Sequence, residues 1–183
     1  MRLTKLNIGG GYTKIEGFLN VDCRIETEPD FLVDLEKDNS LTYNPFHPLS
    51  ILIADSSVDE VLMSHIFEHI RNIQGLMKEI YRVCMPSAKI RVICPYWSHR
   101  SAVEDPTHVR YMTERSMMYF SKNTIGSDGK PFVRDYDFKT IAVTLVPDKE
   151  YQYLSENVQE LHKLGKKYLN VIEFIIYDLE VVK

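Results

Sequence analysis

The chain has 183 residues, of which 44% are hydrophobic, and a net charge of −4. This length suits one well-filled α/β domain and is too short for two comfortable ones. The Lys and Arg residues do not collect in runs. Because a nucleic acid requires a basic surface, this composition argues against nucleic acid as a main partner.

The three cysteines, Cys23, Cys84 and Cys94, are odd in number and lack a CxxC spacing. This pattern predicts free thiols in a reducing compartment. No basic and apolar leader opens the chain, and no apolar run reaches membrane length. We therefore expect a soluble cytoplasmic protein without a membrane partner, while the oligomeric state is not indicated.

A glycine-rich turn between two apolar runs is the first chemical signal. The run Leu6–Ile8 ends in the glycines 9–11, and a second apolar run ends at Asp22. Glycines at the carboxyl end of a strand let the backbone turn and approach a ligand without a Cβ in the way. An acid at the tip of the neighbouring strand can accept both ribose hydroxyls. This layout predicts a nucleotide site, with a stunted first helix between Gly11 and Phe18.

The middle of the chain alternates strands with helices. Asp30–Leu35 is a predicted strand that reaches Asp34, residues 36–50 form a predicted surface insertion, and residues 58–63 form a buried strand followed by Ser64. From His65 through Met85, apolar residues then recur at intervals of three and four residues. This spacing predicts one or two helices with a possible break near Gly75.

The last part of the chain is predicted to form a strand, then a helix, then a final strand. A strand over 89–94 leads into polar loops, and a capped helix is expected over 113–120. A strand over 138–146, a helix over 154–167 and a strand over 171–182 follow. This order predicts one α/β domain over residues 1–183, with a doubly wound sheet whose final pair is antiparallel and with substrate-side loops and a short helix at 96–135.

Several motifs together resemble one family. LNIGGG, GFLNVD, the acid of LVDL, ADSSVDEVLMSHIFEHI and DPTHVRYMT resemble the class I S-adenosylmethionine-dependent methyltransferases, in particular their compact type 11-like group. The resemblance covers residues 5 to about 120. It implies a Rossmann-like, seven-stranded sheet, mostly parallel with an antiparallel last strand, and helices on both faces. The cofactor S-adenosylmethionine would occupy a cleft at the carboxyl ends of the first strands.

The resemblance also implies roles for particular residues. The glycine turn would pass under the methionine and ribose parts of the cofactor, and Asp22 would hold the ribose. Asn7 stands where the family commonly has an acid, although an amide can still donate and accept hydrogen bonds. The expected cofactor-binding residues are Gly9, Gly10, Gly11, Asp22, Asp34 with the backbone of Leu35 at the adenine, and Ser64 at the methionine end.

The implied reaction is an in-line displacement at a methyl carbon, for which the protein chiefly supplies orientation. An oxygen or nitrogen acceptor usually loses a proton, so histidines near the strand ends are candidate bases. We expect a small-molecule acceptor. The candidate bases are His108 and His65, and the candidate substrate-binding residues are Tyr96, Trp97, His99, Asp105, which could orient the His108 ring, and Arg110, which could meet an anionic group.

Alternatives remain open for each signal. Asp22 could be a cap or turn former, Tyr96 and Trp97 could be lid residues of the core, and the loop around His108 could be held by its own hydrogen bonds. A nicotinamide site is disfavoured because Lys14 occupies the position of the third glycine.

Two other functions compete with methyl transfer. The segment 65–69 spells HxxEH, so a zinc hydrolase could bind the metal through His65 and His69, with Glu68 as the base and Glu150 as a third ligand. The expectation from the sequence is nevertheless that no metal is bound. The other alternative is a partner protein that binds the cofactor without catalysis.

Overall fold

The computed structural model describes residues 4–35, 53–126, 128–132 and 134–183. The predicted insertion at 36–50 therefore lies outside the described residues. The described residues form a seven-stranded sheet with the order β3-β2-β1-β4-β5-β7-β6. Its strands are β1 Thr4–Ile8, β2 Phe18–Asp22, β3 Phe31–Leu32, β4 Val58–Ser64, β5 Cys84–Pro95, β6 Phe138–Pro147 and β7 Ile172–Val181.

The sheet is mostly parallel. Strands β1 to β5 pair in parallel with their neighbours, whereas β7 lies antiparallel between β5 and β6. This confirms the predicted doubly wound sheet with an antiparallel last strand. Because β1, β2 and β4 run in the same direction, their carboxyl ends meet at one edge, where ligands bind in open α/β sheets.

Helix α1 spans Ile73–Val83 and begins later than predicted. The Asn72 side chain accepts a hydrogen bond from the Gly75 amide at 3.0 Å and so caps the first turn. The predicted helix over residues 65–72 is therefore wrong, since that segment forms turns. The predicted break near Gly75 is also wrong, because Gly75 lies within α1 and its amide donates to the capping side chain of Asn72.

The remaining helices are short. Helix α2 spans Arg100–Glu104 and α3 spans Val158–Gly165. The predicted helix at 113–120 is a 3-10 helix over Ser116–Phe120. The predicted helix at 154–167 divides into a 3-10 helix, Lys149–Leu154, and α3, whose start is capped by Asn157. Among the described helices, none has the length and apolar character needed to cross a membrane.

One face of the sheet builds the core. Leu6, Val61, Ile90 and Leu179 are register partners on four adjacent strands, and each is at most 1% exposed. Among the described residues they belong to one hydrophobic cluster that also includes the buried side of α1. This cluster fixes the strand register, since a slip by one residue would expose the apolar row.

The opposite face over β4, β5 and β7 is polar. Cross-strand ion pairs lie along it, and the cationic side chains are 41–62% exposed. Such pairs remain in water because burying a charge is costly. The helical cover predicted on both faces is therefore not found over these strands within the described residues. The pairs are Lys5–Glu60, Lys89–Glu180 and Arg91–Asp178.

Candidate functional site

The glycine turn and Asp22 meet at the carboxyl edge of the sheet. The Gly11 amide donates a hydrogen bond to Asp22 Oδ2 at 2.8 Å, and the Arg24 amide donates to Oδ1 at 2.9 Å. The Asp22 side chain is buried, and the Gly9 amide donates to the Val21 carbonyl at 2.7 Å. The Asp22 carboxylate and the backbone of the glycine turn are thus held together by hydrogen bonds within the protein.

Two of the glycines are required by close approaches. Gly9 has a φ of +69°, and a Cβ there would lie 2.6 Å from Ile66. At Gly10 a Cβ would lie 2.4 Å from Asn7 Nδ2 and 2.5 Å from Asn20 Oδ1. Both distances are far below a van der Waals contact. The turn therefore packs directly on the segment that follows β4.

A buried pair of hydrogen-bonded asparagine side chains, Asn7 and Asn20, supports the glycine turn. Asn7 Nδ2 donates to Asn20 Oδ1 at 2.8 Å and to the Thr13 carbonyl at 3.1 Å. The two asparagines are register partners on β1 and β2. The stunted helix predicted between Gly11 and Phe18 is not formed, because this segment makes turns that the amide pair ties to the strands. Sequence analysis missed Asn20, although an amide within an apolar strand was its signal.

Arg24 is a second residue that sequence analysis missed. Its Nε lies 3.4 Å from Asp22 Oδ1, and its guanidinium lies over the Tyr12 ring at 5.8 Å. The Arg24 side chain is 51% exposed. The carboxylate thus faces a cation that solvent can reach.

The end of β3 lies beside the same carboxylate. The Val33 amide donates to the Asp22 carbonyl at 2.9 Å, which carries β3 past its last paired residue. Partial burial, and then the charges of Asp22 and Asp34, raise the pKa of the Cys23 thiol. The charges of both predicted cofactor acids thus act on the Cys23 thiol, and Leu35 is buried.

His65 directly follows β4 and has a backbone conformation that is uncommon for a residue with a side chain. Its φ is +54°, in the left-handed region, and its amide donates to the Ile93 carbonyl at 2.9 Å. The imidazole is 44% exposed and lies edge-on to Phe174, with ring centroids 5.0 Å apart. His65 and the preceding Ser64 thus reach the same edge as the glycine turn.

The loop with His108 is held against the turn that follows β4. His108 Nδ1 lies 3.0 Å from the Ala102 carbonyl, and its side chain is only 8% exposed. Arg110 donates to the Arg71 carbonyl at 3.1 Å. Asp105 accepts hydrogen bonds from the hydroxyl and the amide of Thr107, which lower the pKa of Asp105. Its other oxygen lies 3.9 Å from His108 Nε2, beyond hydrogen-bond distance.

The aromatic segment after β5 is mostly internal. Tyr96 is buried and donates to Glu114 at 3.1 Å, and burial raises the pKa of its phenol to about 12. His99 caps α2 and places Nε2 3.2 Å from Asp148. Trp97 is 45% exposed. Of these three predicted substrate-side residues, Trp97 offers the most surface to a ligand.

A cavity of about 840 Å³ lies apart from the glycine turn. Its lining includes Arg110, Arg115 and Arg134 together with Tyr119 and Phe132. Neither the turn Gly9–Gly11 nor Asp22 lines it. Volume alone therefore does not identify the nucleotide site. The hydrogen bond between Gly11 and Asp22 at the strand edge is the more specific feature.

A family model matches the part of the chain that follows the glycine turn. Residues 31–92 match the family model described as a methyltransferase domain. No curated protein matches the chain in sequence.

Solved structures share the whole fold at low identity. A SAM-dependent methyltransferase from Archaeoglobus fulgidus is 15% identical with a TM-score of 0.55, over 97% of this chain and 86% of that one. The [4+2]-cyclase SpnF is 11% identical with a TM-score of 0.55, over 98% and 74%. A putative methyltransferase from Haloferax volcanii, solved with the activator Trm112, is 14% identical with a TM-score of 0.53, over 100% and 84%.

Proposed function

The family match and the shared fold confirm the resemblance to class I S-adenosylmethionine-dependent methyltransferases, and from this premise we propose an activity for the chain. The chain binds S-adenosylmethionine at the glycine turn and transfers the methyl group to an oxygen or nitrogen of a small molecule. The observation that carries the proposal is the 2.8 Å hydrogen bond between the Gly11 amide and Asp22 Oδ2. It holds a bare backbone turn and a buried acid side by side.

Asp22 is the proposed ribose ligand. A carboxylate has about four acceptor positions, and Oδ2 uses one of them on the Gly11 amide. The ribose hydroxyls would take further positions, including the one that faces Arg24 Nε at 3.4 Å. This contact is long for a hydrogen bond, and the exposed Arg24 side chain can move without disturbing a core.

The remaining cofactor contacts follow the strand ends. Asp34 and the Leu35 backbone are proposed at the adenine, and their support is that they follow β3 and that the Val33 amide is hydrogen-bonded to the Asp22 carbonyl at 2.9 Å. Ser64 is proposed at the methionine end. Its support is that the Gly9 turn packs on Ile66, two residues beyond Ser64. The methionine end would therefore lie between the glycine turn and β4.

His65 marks the proposed acceptor side. Its ring is much more exposed than that of His108, and it stands at the strand tip next to Ser64. Trp97 is the proposed wall of the acceptor space because its ring is exposed at the end of β5. His108 was predicted as the leading base, but its Nδ1 is engaged by the Ala102 carbonyl and its side chain is only 8% exposed. We therefore assign the acceptor-facing role to His65.

Thermal unfolding with and without ligands tests this function. S-adenosylhomocysteine at about 100 times its dissociation constant is expected to stabilise the native state by about 2.7 kcal/mol. For a chain of this length that corresponds to a rise in Tm of about 5–10 °C. NAD+ at the same concentration is expected to leave Tm unchanged. Stabilisation by NAD+ and not by S-adenosylhomocysteine would contradict the proposal.

Turnover is measured separately, because one fold can host several chemistries. The purified chain is incubated with S-adenosylmethionine and sets of small hydroxyl and amine acceptors, and S-adenosylhomocysteine is quantified. We expect release that depends on one acceptor class. Binding without release for any class would favour the non-catalytic alternative.

A further inference from the structure

We propose that Glu68, His69 and His108 form a binding site for a divalent transition-metal ion such as Zn²⁺. One ligand atom from each residue lies within 4.8 Å of the other two. The site joins the turn after β4 to the loop that precedes the 3-10 helix Ser116–Phe120. It reverses the expectation from the sequence that no metal is bound.

The buried side chain of Glu68 is the first observation that supports a metal site. This side chain is 2% exposed, and no nitrogen or hydroxyl group in the described ranges donates a hydrogen bond to either carboxylate oxygen. Its neighbours are His65 Nδ1 at 3.5 Å, His108 Nε2 at 4.0 Å and the Cys94 thiol, whose pKa the Glu68 carboxylate raises. Burying a carboxylate that no strong hydrogen-bond donor satisfies is costly. A cation held among these atoms removes that cost.

The hydrogen bonds of His69 prepare it as a ligand. The Thr107 hydroxyl donates its only proton to Asp105 at 2.6 Å, because a carboxylate can only accept. Thr107 Oγ1 therefore accepts from His69 Nδ1, which lies 2.9 Å away. With the proton on Nδ1, the lone pair of His69 is on Nε2. A carboxylate behind a ligating histidine is the usual second layer of a metal site.

His108 is prepared in the same way by a backbone group. The Ala102 carbonyl can only accept, so the 3.0 Å contact places a proton on His108 Nδ1. The lone pair is then on Nε2, which faces Glu68 Oε1 at 4.0 Å. Two electron-pair donors thus face each other across a gap with no proton between them. In a tetrahedral site, Zn–N and Zn–O bonds of about 2.0–2.2 Å place two ligand atoms about 3.3–3.6 Å apart, so the 4.0 Å gap would close slightly around the ion.

His108 Nε2 and Glu68 Oε1 lie 4.0 Å apart, which is longer than a direct hydrogen bond between them would be. Arg110 is the nearby permanent cation, and its guanidinium donates to the carbonyls of Phe67 and Arg71. The separation therefore suits an ion bound between the two side chains.

The ligand types define the class of metal. Two imidazoles and one carboxylate suit zinc and the other divalent first-row transition metals, whereas Mg²⁺ and Ca²⁺ prefer oxygen ligands.

This site differs from the predicted hydrolase motif. His65 and His69 do not share a helix face, because residues 65–69 form turns, and His108 rather than Glu150 completes the set. Three protein ligands leave a position for water or for an acceptor oxygen. The role toward an acceptor rests on the proposed function, whereas the binding of metal does not.

Calorimetry of the untagged chain, freed of metal with EDTA and titrated with ZnCl₂ without cofactor, tests the site. The native protein is expected to bind one Zn²⁺ per chain. Thr107→Val, which removes the hydroxyl behind His69, is expected to weaken binding about 10–100-fold, and Glu68→Gln more strongly. His162→Gln, which alters a histidine on α3 paired with Glu114, is the matched control and is expected to bind like the native chain.

Thermal unfolding of Glu68→Gln separates a lost ligand from a lost fold. In EDTA this variant is expected to be at least as stable as the native chain, because it removes an unpaired buried charge. Zn²⁺ is expected to raise the Tm of the native chain and not that of the variant. The proposal is overturned if the native chain binds no Zn²⁺, or if Glu68→Gln binds it as tightly as His162→Gln does. Because no cofactor is present, either result is independent of the proposed transferase activity.

Discussion

Asn in place of Asp22 is expected to weaken S-adenosylhomocysteine binding by about 100-fold or more while the chain remains folded. Hydrogen bonds to a charged acceptor contribute about 1.5–3 kcal/mol each, and two ribose hydroxyls are proposed to bind this carboxylate. The loss of about 3 kcal/mol corresponds to about 100-fold in Kd. Asn retains one oxygen that can accept from the Gly11 amide and loses only the hydrogen bonds from Arg24, so the turn keeps its main support.

Asp30→Asn is the matched control for this prediction. Asp30 also accepts a hydrogen bond from a backbone amide, that of Asn20 at 2.7 Å, and it lies one residue before β3. Calorimetry should give Asp30→Asn the same affinity for S-adenosylhomocysteine as the native chain. Equal affinities for Asp22→Asn and the native chain would remove Asp22 from the cofactor site.

Gly9→Ala is expected to lower both stability and cofactor binding. The residue would have to keep a φ of +69° and would place a methyl group 2.6 Å from Ile66. Left-handed strain costs about 1–2 kcal/mol, and overpacking adds about 1–3 kcal/mol. Chemical denaturation should therefore show a loss of about 2–5 kcal/mol. The displaced turn should also bind S-adenosylhomocysteine more weakly.

Gly17→Ala separates the strain from the close approach. Gly17 has a φ of +82°, but a Cβ there meets no atom within 4 Å. Its loss of stability is expected to be limited to about 1–2 kcal/mol of strain, with cofactor binding unchanged. If the two variants lose the same stability and the same affinity, the packing of the turn on Ile66 is not what positions the site.

The sheet and its glycine edge could be predicted because they depend on local pattern. Apolar runs that end in glycine or in an acid identify strands and their carboxyl ends, and adjacent parallel strands bring those ends together. Gly11 and Asp22 therefore meet as their sequence positions imply. The polar face of the sheet also had a signal, since Lys89 and Arg91 alternate with apolar residues, which is typical of a half-solvated strand.

Other features depend on tertiary contacts that a local pattern does not contain. The apolar spacing of a helix continues through residues 65–72, yet the Asn72 cap starts α1 afterwards. Glu68 and His108 lie forty positions apart in the sequence and meet only when the loop packs on the turn after β4. Arg24 Nε lies near the Asp22 carboxylate because of the conformation that the Arg24 side chain adopts. These three features can be recognised only in the folded chain.

A crystal structure of the chain with S-adenosylhomocysteine tests the central claim most directly. The ligand is expected to lie against the backbone of Gly9–Gly11, with its ribose hydroxyl oxygens within about 2.5–3.0 Å of the Asp22 carboxylate. Its sulfur should face the space between Gly9 and His65. Ligand density at another surface, or a ribose that does not touch Asp22, would contradict the account.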